Sequence, residues 1–236
     1  MKILAVDTAT SSCSVAIVDG GALRAELTQS TGETHARHLM SMVGAAFDLA
    51  GMSVNDMDGF VAITGPGTFT GLRIGLSTVQ GMALAASKPV VGISSLDALS
   101  VQAAPTAHRA GSLICAMLDA RRKEVYYNFY RSTGHAIAPV AGPRVGPPEI
   151  VAEDIDEPCL LVGSGALLYQ EVLKEKLAEK ISFAALSAHT IRGETVARLS
   201  LVKFENRDVS ANGILQPLYL RKSDAEVNAA RQAEDA

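Results

Sequence analysis

Three strand-like segments follow one another at the start of this chain before any helical pattern begins. KILAVDTA (2–9) is a short apolar run, and SCSVAIVDGG (12–21) and ALRAELTQ (22–29) alternate apolar with polar residues. The connections are short, and the second contains Asp-Gly-Gly, which is typical of β-hairpin turns. We therefore predict an antiparallel meander of three strands, and a sheet is the framework on which the following segments pack.

Helices and strands alternate after this meander. The hydrophobic periodicity predicts, in order, a helix over 35–50, a strand over 60–65, a helix over 71–87, a strand over 89–94 and a helix over 95–104. Thr34 is the expected N-cap of the first helix, and Gly51 follows its end. This order predicts an α/β lobe over residues 1–104, with a mixed sheet flanked by helices.

The remainder of the chain predicts a second lobe over 105–222. Its segments are a hairpin (112–119 and 124–131), a proline-rich region of loops with one short strand (134–158), a strand that enters a glycine turn (159–166), a helix after it and a helix over 193–204. With 48% hydrophobic residues, the 236-residue chain can bury one large core or two smaller ones. Residues 223–236 are polar and Ala-rich, which predicts a flexible tail.

The charge distribution argues against tight, autonomous binding to nucleic acid. The net charge is −4, and the densest basic block is Arg121-Arg122-Lys123, which we interpret as a solvated hairpin tip. Three widely spaced cysteines without a CxxC motif favour free thiols in a reducing cytoplasm. The sequence shows no signal peptide and no apolar run long enough to span a membrane, so we expect a cytoplasmic protein.

The segment GPGTFTGLRIG (65–75) is rich in glycine, as phosphate-binding turns often are. It lacks the lysine of a Walker A loop, and Gly65, Gly67 and Gly71 are spaced one residue too far apart for a GxGxxG fingerprint. Two interpretations stay open: a turn whose free N–H groups hold an anion, and a structural turn that needs glycine geometry. Asp7, at the end of the first strand, likewise suits either a metal–phosphate group or a local turn.

The helices at 35–50 and 71–87 are apolar on more than one face. One face of each packs on its sheet, which leaves a second face to be covered. Two interpretations stay open: a protein–protein interface, and burial under the second lobe. The interface residues we assign are Ala36, Met40, Gly44, Phe47, Gly71, Ile74, Thr78 and Met82.

Five segments resemble the TsaB (YeaZ) family of the actin-like ATPase superfamily at familiar separations. They are MKILAVDTATSSCSVAIVD, ETHARHL, ITGPGTFTGLRIG, MLDARRKEVYY and QPLYLR, and the similarity spans residues 1 to about 222. The resemblance implies a two-lobed, actin-like (ribonuclease H-like) α/β fold. It also implies that the first-lobe helices pair with a partner, which strengthens the interface prediction.

The resemblance further implies an accessory role in forming threonylcarbamoyladenosine beside the anticodon of certain tRNAs. The implied partners are the catalytic paralogue TsaD, the ATPase TsaE, a second copy of the chain, and tRNA only through the complex. The catalytic paralogue carries an HxxxH metal pair, and Ser95 and Leu99 stand at the equivalent positions here. Neither side chain replaces imidazole, so we expect a non-catalytic subunit without a catalytic or metal site.

Two alternatives accompany this interpretation. Relatives have been labelled M22-type glycoproteases, although the sequence offers no metal or nucleophile constellation for peptide cleavage. A stand-alone nucleotide-binding protein is the other. Members of the superfamily bind ATP between their two lobes. We therefore expect this chain to bind ATP or ADP weakly or only together with a partner, and not to require either as a cofactor. The residues offered for it are Asp7, Gly65, Gly67, Gly163 and Gly165.

Overall fold

The computed structural model describes residues 1–30, 35–106, 110–133, 136–210 and 213–221. Thr34, the predicted N-cap, and the predicted tail at 223–236 lie outside these ranges. Within them, no helix is both long enough and apolar enough to cross a bilayer.

The first sheet has five strands in the order β3-β2-β1-β4-β5. The strands are β1 (Lys2–Asp7), β2 (Ser12–Asp19), β3 (Ala22–Ser30), β4 (Gly59–Gly65) and β5 (Val90–Ser94). The first three form the predicted antiparallel meander, and β4 and β5 add to β1 in parallel. The central strands are buried on both faces, as expected for continuous apolar runs in the parallel part of a sheet.

Three helices follow the strands of this sheet, close to the predicted positions. They are α1 (Leu39–Ala50), α2 (Phe69–Ala86) and α3 (Ser95–Ala103). A 3-10 turn at His35–Arg37 precedes α1, so the α-helix proper begins four residues later than predicted. Gly51 ends α1 in the left-handed conformation, at φ 64°, where glycine carries no side-chain penalty.

The second sheet follows the path β11-β10-β6-β7-β8, and β9 also pairs with β7. Its strands are β6 (Leu113–Arg121), β7 (Glu124–Ser132), β8 (Ile137–Pro139), β9 (Arg144–Gly146), β10 (Cys159–Val162) and β11 (Ile181–Phe183). The remaining helices are α4 (Pro148–Glu153), α5 (Ser164–Leu168), α6 (Gln170–Leu177) and α7 (Gly193–Glu205). The predicted β6–β7 hairpin is confirmed.

Three local predictions for this part of the chain were wrong. The region 134–158 contains two short strands and α4 rather than loops with one strand, because Pro148 suits the first turn of a helix. The helix after β10 is two helices, divided at Tyr169. Strand β11 was not predicted, because a three-residue strand carries almost no periodic signal.

Three hydrophobic clusters define the layers. One lies between α1, α2 and the first sheet, and another lies between the second sheet and α4 to α6. The third joins the two sheets through α3 and α7, with Ile63, Leu99, Leu118 and Ala197 among its members. The second sheet therefore packs, through α3 and α7, on the face of the first sheet opposite to α1 and α2.

Helix α7 lies in the predicted second-lobe range but packs on the first sheet. The N–H of Gly193 donates to the Ser14 hydroxyl at 2.8 Å, and a Cβ at this glycine would lie 2.8 Å from that of Ala16 in β2. The two sheets do separate near residue 104, and the exact lobe boundaries stay a prediction.

Candidate functional site

The glycine-rich turn between β4 and α2 packs directly on the turn after β1. The Thr68 N–H donates to the Ala9 carbonyl at 2.7 Å, and the Thr8 hydroxyl donates to the Gly71 carbonyl at 2.7 Å. A Cβ at Gly67 would lie 2.5 Å from the Ala9 carbonyl oxygen, and one at Gly71 would overlap the Thr8 carbonyl. These glycines let two pieces of backbone approach closely, and their space is filled by protein atoms.

The glycine turn after β10 is packed in the same way on the second sheet. Gly163 has φ 107°, and a Cβ there would overlap the Met117 carbonyl of β6. A Cβ at Gly165 would lie 3.0 Å from the backbone of Leu118 in the same strand. The Gly163 N–H also donates to Nδ1 of the buried His189 at 3.0 Å.

The four predicted cofactor glycines are therefore explained by close packing. Gly65 has φ 116°, and its Cβ position lies 2.9 Å from the Leu218 carbonyl. The structure brings Gly67 against Ala9 in the turn that follows Asp7, whereas Gly163 and Gly165 contact β6 of the other sheet. The assignment of these residues to a nucleotide site stays a prediction.

Asp7 is fully buried at the end of β1. Its Oδ1 accepts the Ala9 N–H at 2.9 Å, while Oδ2 has no hydrogen-bond partner among the described residues. Burial raises the pKa of this carboxyl from 3.8 to about 7, and the Ala9 hydrogen bond offsets only part of that effect. The residue is an unsatisfied acid that carries part of its charge at neutral pH.

We expect Asp7→Asn to flatten the dependence of stability on pH. The folded state binds more protons than the unfolded state between pH 3.8 and about 7, so the Asp7 contribution is present at low pH and is lost as pH rises. From pH 5.5 to 7, the free energy of unfolding of the variant minus that of the parent should rise by about 2 kcal/mol. Urea unfolding at several pH values measures it, and a constant difference would contradict the prediction.

The outer face formed by α1 and α2 is exposed and almost uncharged. Across the 12 residues of α1 and the 18 of α2, Asp48 and Arg73 are the only charged side chains. Met40 is 59% exposed and Leu84 is 83% exposed, and an open groove runs between the helices. The groove is lined by Ala36, Leu39, Met40, Arg73, Ile74, Ser77 and Thr78. Depletion of charge around exposed apolar side chains is the composition of an interface core.

The predicted interface residues mostly lie on this face. Ala36, Met40 and Gly44 are exposed, while the half-buried ones are Phe47, Ile74, Thr78 and Met82. Gly71 is the exception, because it is buried against Thr8 and presents no surface to a partner. The second sheet does not cover the face, since it packs on the opposite side of the first sheet. Its role in binding a partner stays a prediction.

Residues 213–221 form a C-terminal strap that contains the motif QPLYLR (216–221). Its Leu215 N–H donates to the Gln80 side chain at 2.9 Å, and its Leu218 N–H donates to the Thr64 carbonyl at 2.8 Å. Tyr219 stacks on Phe69 with the ring centroids 4.8 Å apart. The strap therefore edges the α2 side of the candidate interface, a contact between distant segments that no local pattern signals.

Arg73 links this strap to the groove between α1 and α2. Its guanidinium lies 3.7 Å from the centroid of the Phe69 ring, and its Nε donates to the Tyr219 hydroxyl at 3.0 Å. Arg73 is the one charged side chain among the described residues that line the groove, and two aromatic side chains thereby hold it in place.

Comparisons with known proteins decide the family. A family model described as TsaD, tRNA N6-adenosine threonylcarbamoyltransferase, matches residues 26–229. The tRNA threonylcarbamoyladenosine biosynthesis protein TsaB of Escherichia coli (strain K12) is 33% identical over 230 residues, which are 95% of this chain and 96% of that protein. The chain belongs to the TsaB (YeaZ) family.

Solved structures agree with this membership and with the predicted fold. YeaZ from Pseudomonas aeruginosa superposes with a TM-score of 0.77 at 29% identity, covering 93% of this chain and 99% of that one. Component A of the (R)-2-hydroxyglutaryl-CoA dehydratase of Acidaminococcus fermentans gives a TM-score of 0.52 at 11% identity, covering 86% and 98%, and shows the fold alone. The predicted two-lobed, actin-like α/β fold of this TsaB-family chain is confirmed.

In this TsaB-family chain, Ser95 and Leu99, which stand at the positions of the HxxxH pair, have structural contacts. The Ser95 hydroxyl donates to the Pro66 carbonyl at 2.5 Å, and Leu99 is fully buried in the cluster between the sheets. Over the described ranges, no group of three or more His, Cys, Asp or Glu side chains is arranged to hold a metal ion. His35 uses its Nε2 in a 2.6 Å hydrogen bond with the Thr10 carbonyl.

The cysteines of this TsaB-family chain are poor nucleophiles. Cys13, Cys115 and Cys159 are free and buried. Burial, with a smaller effect of the Asp7 carboxylate, raises the pKa of the Cys13 thiol to about 12. Burial raises the pKa of Cys159 to about 12 as well, so neither thiol is ionised near neutral pH.

Proposed function

We propose that this chain is a non-catalytic scaffolding subunit in the synthesis of threonylcarbamoyladenosine in tRNA. In this proposal it binds a TsaD-like catalytic paralogue, together with a TsaE-like ATPase, in the cytoplasm. The partners transfer a threonylcarbamoyl group from threonylcarbamoyl-adenylate to the adenosine beside the anticodon. The naming of the family's curated members as threonylcarbamoyladenosine biosynthesis proteins supports the pathway.

The observation that carries the proposal is the uncovered α1–α2 face. It places exposed Met40 and half-buried Ile74 beside each other in a charge-poor groove. An apolar surface of this kind favours a permanent partner, because its burial removes apolar area from water at little desolvation cost. In the absence of the paralogue, we propose that the same face pairs two copies of the chain.

The structural use of the residues compared with catalytic positions supports the scaffolding role. Ser95 and Leu99 serve the packing of α3, and the buried thiols are held in their neutral form. In this proposal the chain contributes surface, and the reacting groups belong to the partner. No observation favours the peptidase alternative over this role.

Reconstitution tests the proposal directly. The TsaD-like and TsaE-like proteins, threonylcarbamoyl-adenylate and unmodified tRNA are incubated with and without this chain, and the modified nucleoside is quantified by mass spectrometry. We expect no product with this chain alone and a strong increase when it joins the other components. Full activity of the other components without it would contradict the scaffolding role, and product formed by this chain alone would show that it is catalytic.

A further inference from the structure

The turn of the β6–β7 hairpin holds three consecutive basic residues in an unusual backbone conformation. Arg121, Arg122 and Lys123 have φ values of 62°, 53° and 62°, all in the left-handed region. Placing a residue other than glycine in this region costs roughly 1 kcal/mol or more, so the fold holds these three residues against their preference for negative φ. A two-residue hairpin turn favours positive φ at its central residues, so this conformation fixes a tight turn and the directions of its side chains.

The turn is anchored from both sides, so its cations are held in position. The Arg121 N–H donates to Asp119 Oδ1 at 2.8 Å. Arg221 of the C-terminal strap donates to the Ala120 carbonyl at 2.8 Å and to a Glu124 carboxylate oxygen at 2.7 Å. A basic group on an anchored turn loses less conformational freedom on binding than one on a mobile loop.

Basic residues are concentrated at this tip in a chain that is negative overall. Asp119 pairs with Arg121 at 3.4 Å and Glu124 pairs with Arg221, and Arg122 and Lys123 are two further basic residues of the turn. The whole chain carries a net charge of −4. The side chain of Arg121 is 74% exposed, and Arg122 and Lys123 are exposed as well. The tip therefore presents concentrated, accessible positive charge.

We propose that the 121–123 turn contacts the phosphate backbone of the tRNA held by the assembled complex. The inference rests on the proposed function, which brings a polyanion to the assembly. Clustered Arg and Lys side chains bind phosphates by charge and by hydrogen bonds, without reading base sequence. Two or three such contacts add to binding by the partners and are too few to hold tRNA tightly by themselves.

The experiment compares tRNA binding by the full complex with two charge variants of this chain. The test variant is Arg121→Gln with Lys123→Gln, and the control is Lys174→Gln with Lys176→Gln on exposed positions of α6, which removes the same net charge. Native mass spectrometry first shows whether each complex assembles. Fluorescence anisotropy with an unmodified tRNA then gives the affinity over a series of salt concentrations.

We expect the test variant to assemble normally and to bind tRNA about 3- to 10-fold more weakly, with a salt dependence shallower by about 1 to 2 in log–log slope. The control should bind tRNA with the affinity of the parent complex. A variant that exchanges the two cations (Arg121→Lys with Lys123→Arg) keeps both charges and should also keep the parent affinity. Unchanged affinity in an assembled complex would overturn this inference alone. Failure of the test variant to assemble would show that the turn binds an acidic protein surface instead. Failure of the parent to assemble would overturn the proposed function and this inference with it.

Discussion

Replacing Met40 by Lys is expected to weaken binding of the TsaD-like partner by at least about 100-fold while leaving the fold of the chain intact. Met40 is 59% exposed in the chain by itself, so the substitution disturbs little of the core. In the proposed complex the ammonium would be buried in an apolar contact. Lys is preferable to Glu here, because Arg73 lines the same groove and would neutralise a carboxylate.

Val202→Lys is the matched control for this substitution. Val202 lies on α7 and is also 59% exposed, but it is remote in the fold from the α1–α2 groove. Native mass and titration calorimetry with the partner should show binding lost for Met40→Lys and kept for Val202→Lys, with similar melting temperatures for both. Equal affinity of the two variants would mean that the α1–α2 face does not bind the partner.

Gly71→Ala is expected to lower the free energy of unfolding by about 3 kcal/mol. The added Cβ would overlap the Thr8 carbonyl and lie 2.5 Å from the Thr68 hydroxyl oxygen, so the backbone around the β1–β2 turn must shift. In a chain of this length the melting temperature should fall by roughly 6 to 12 °C. Thermal unfolding followed by circular dichroism measures the change.

Gly81→Ala provides a control within the same helix. Gly81 is exposed in α2, and a Cβ there meets nothing within 4 Å. This substitution should raise stability by about 0.5 to 1 kcal/mol, since alanine favours helix over glycine. If both variants kept the stability of the parent, close packing would not be the reason for glycine at position 71, and the anion-binding interpretation of the turn would regain its basis.

Most of the secondary structure follows from local patterns in the sequence. The meander of β1 to β3, the alternation through α3 and the β6–β7 hairpin were predicted because their periodicity is long and their turns are marked by glycine or charge. The errors fell on short elements. Strand β11 and helix α4 hold too few residues to show a period, and they form because the second sheet and its outer cluster give them a surface to pack on.

Some features of the candidate site could likewise be predicted from the sequence, and others could not. From the sequence it was clear that α1 and α2 had apolar surface beyond what one sheet covers, and that the glycine spacing fitted neither nucleotide motif. Whether the second lobe covered that surface depended on which face of the first sheet it joins. Only the packing of α3 and α7 between the two sheets decided it, because contacts between residues far apart in the chain leave no local pattern.

The sequence alone was enough to indicate the family, the strands and helices of the first sheet, and the excess of apolar residues on two helices. Only the tertiary structure showed what packs against the glycines, that Asp7 is buried, and where the strap lies. A glycine looks the same in a phosphate loop and in a packed turn, and the difference lies in the atoms that face it, such as the Ala9 and Met117 carbonyls. The physical reason is that composition and periodicity encode burial, whereas close approach and unpaired polar atoms arise only when distant segments meet.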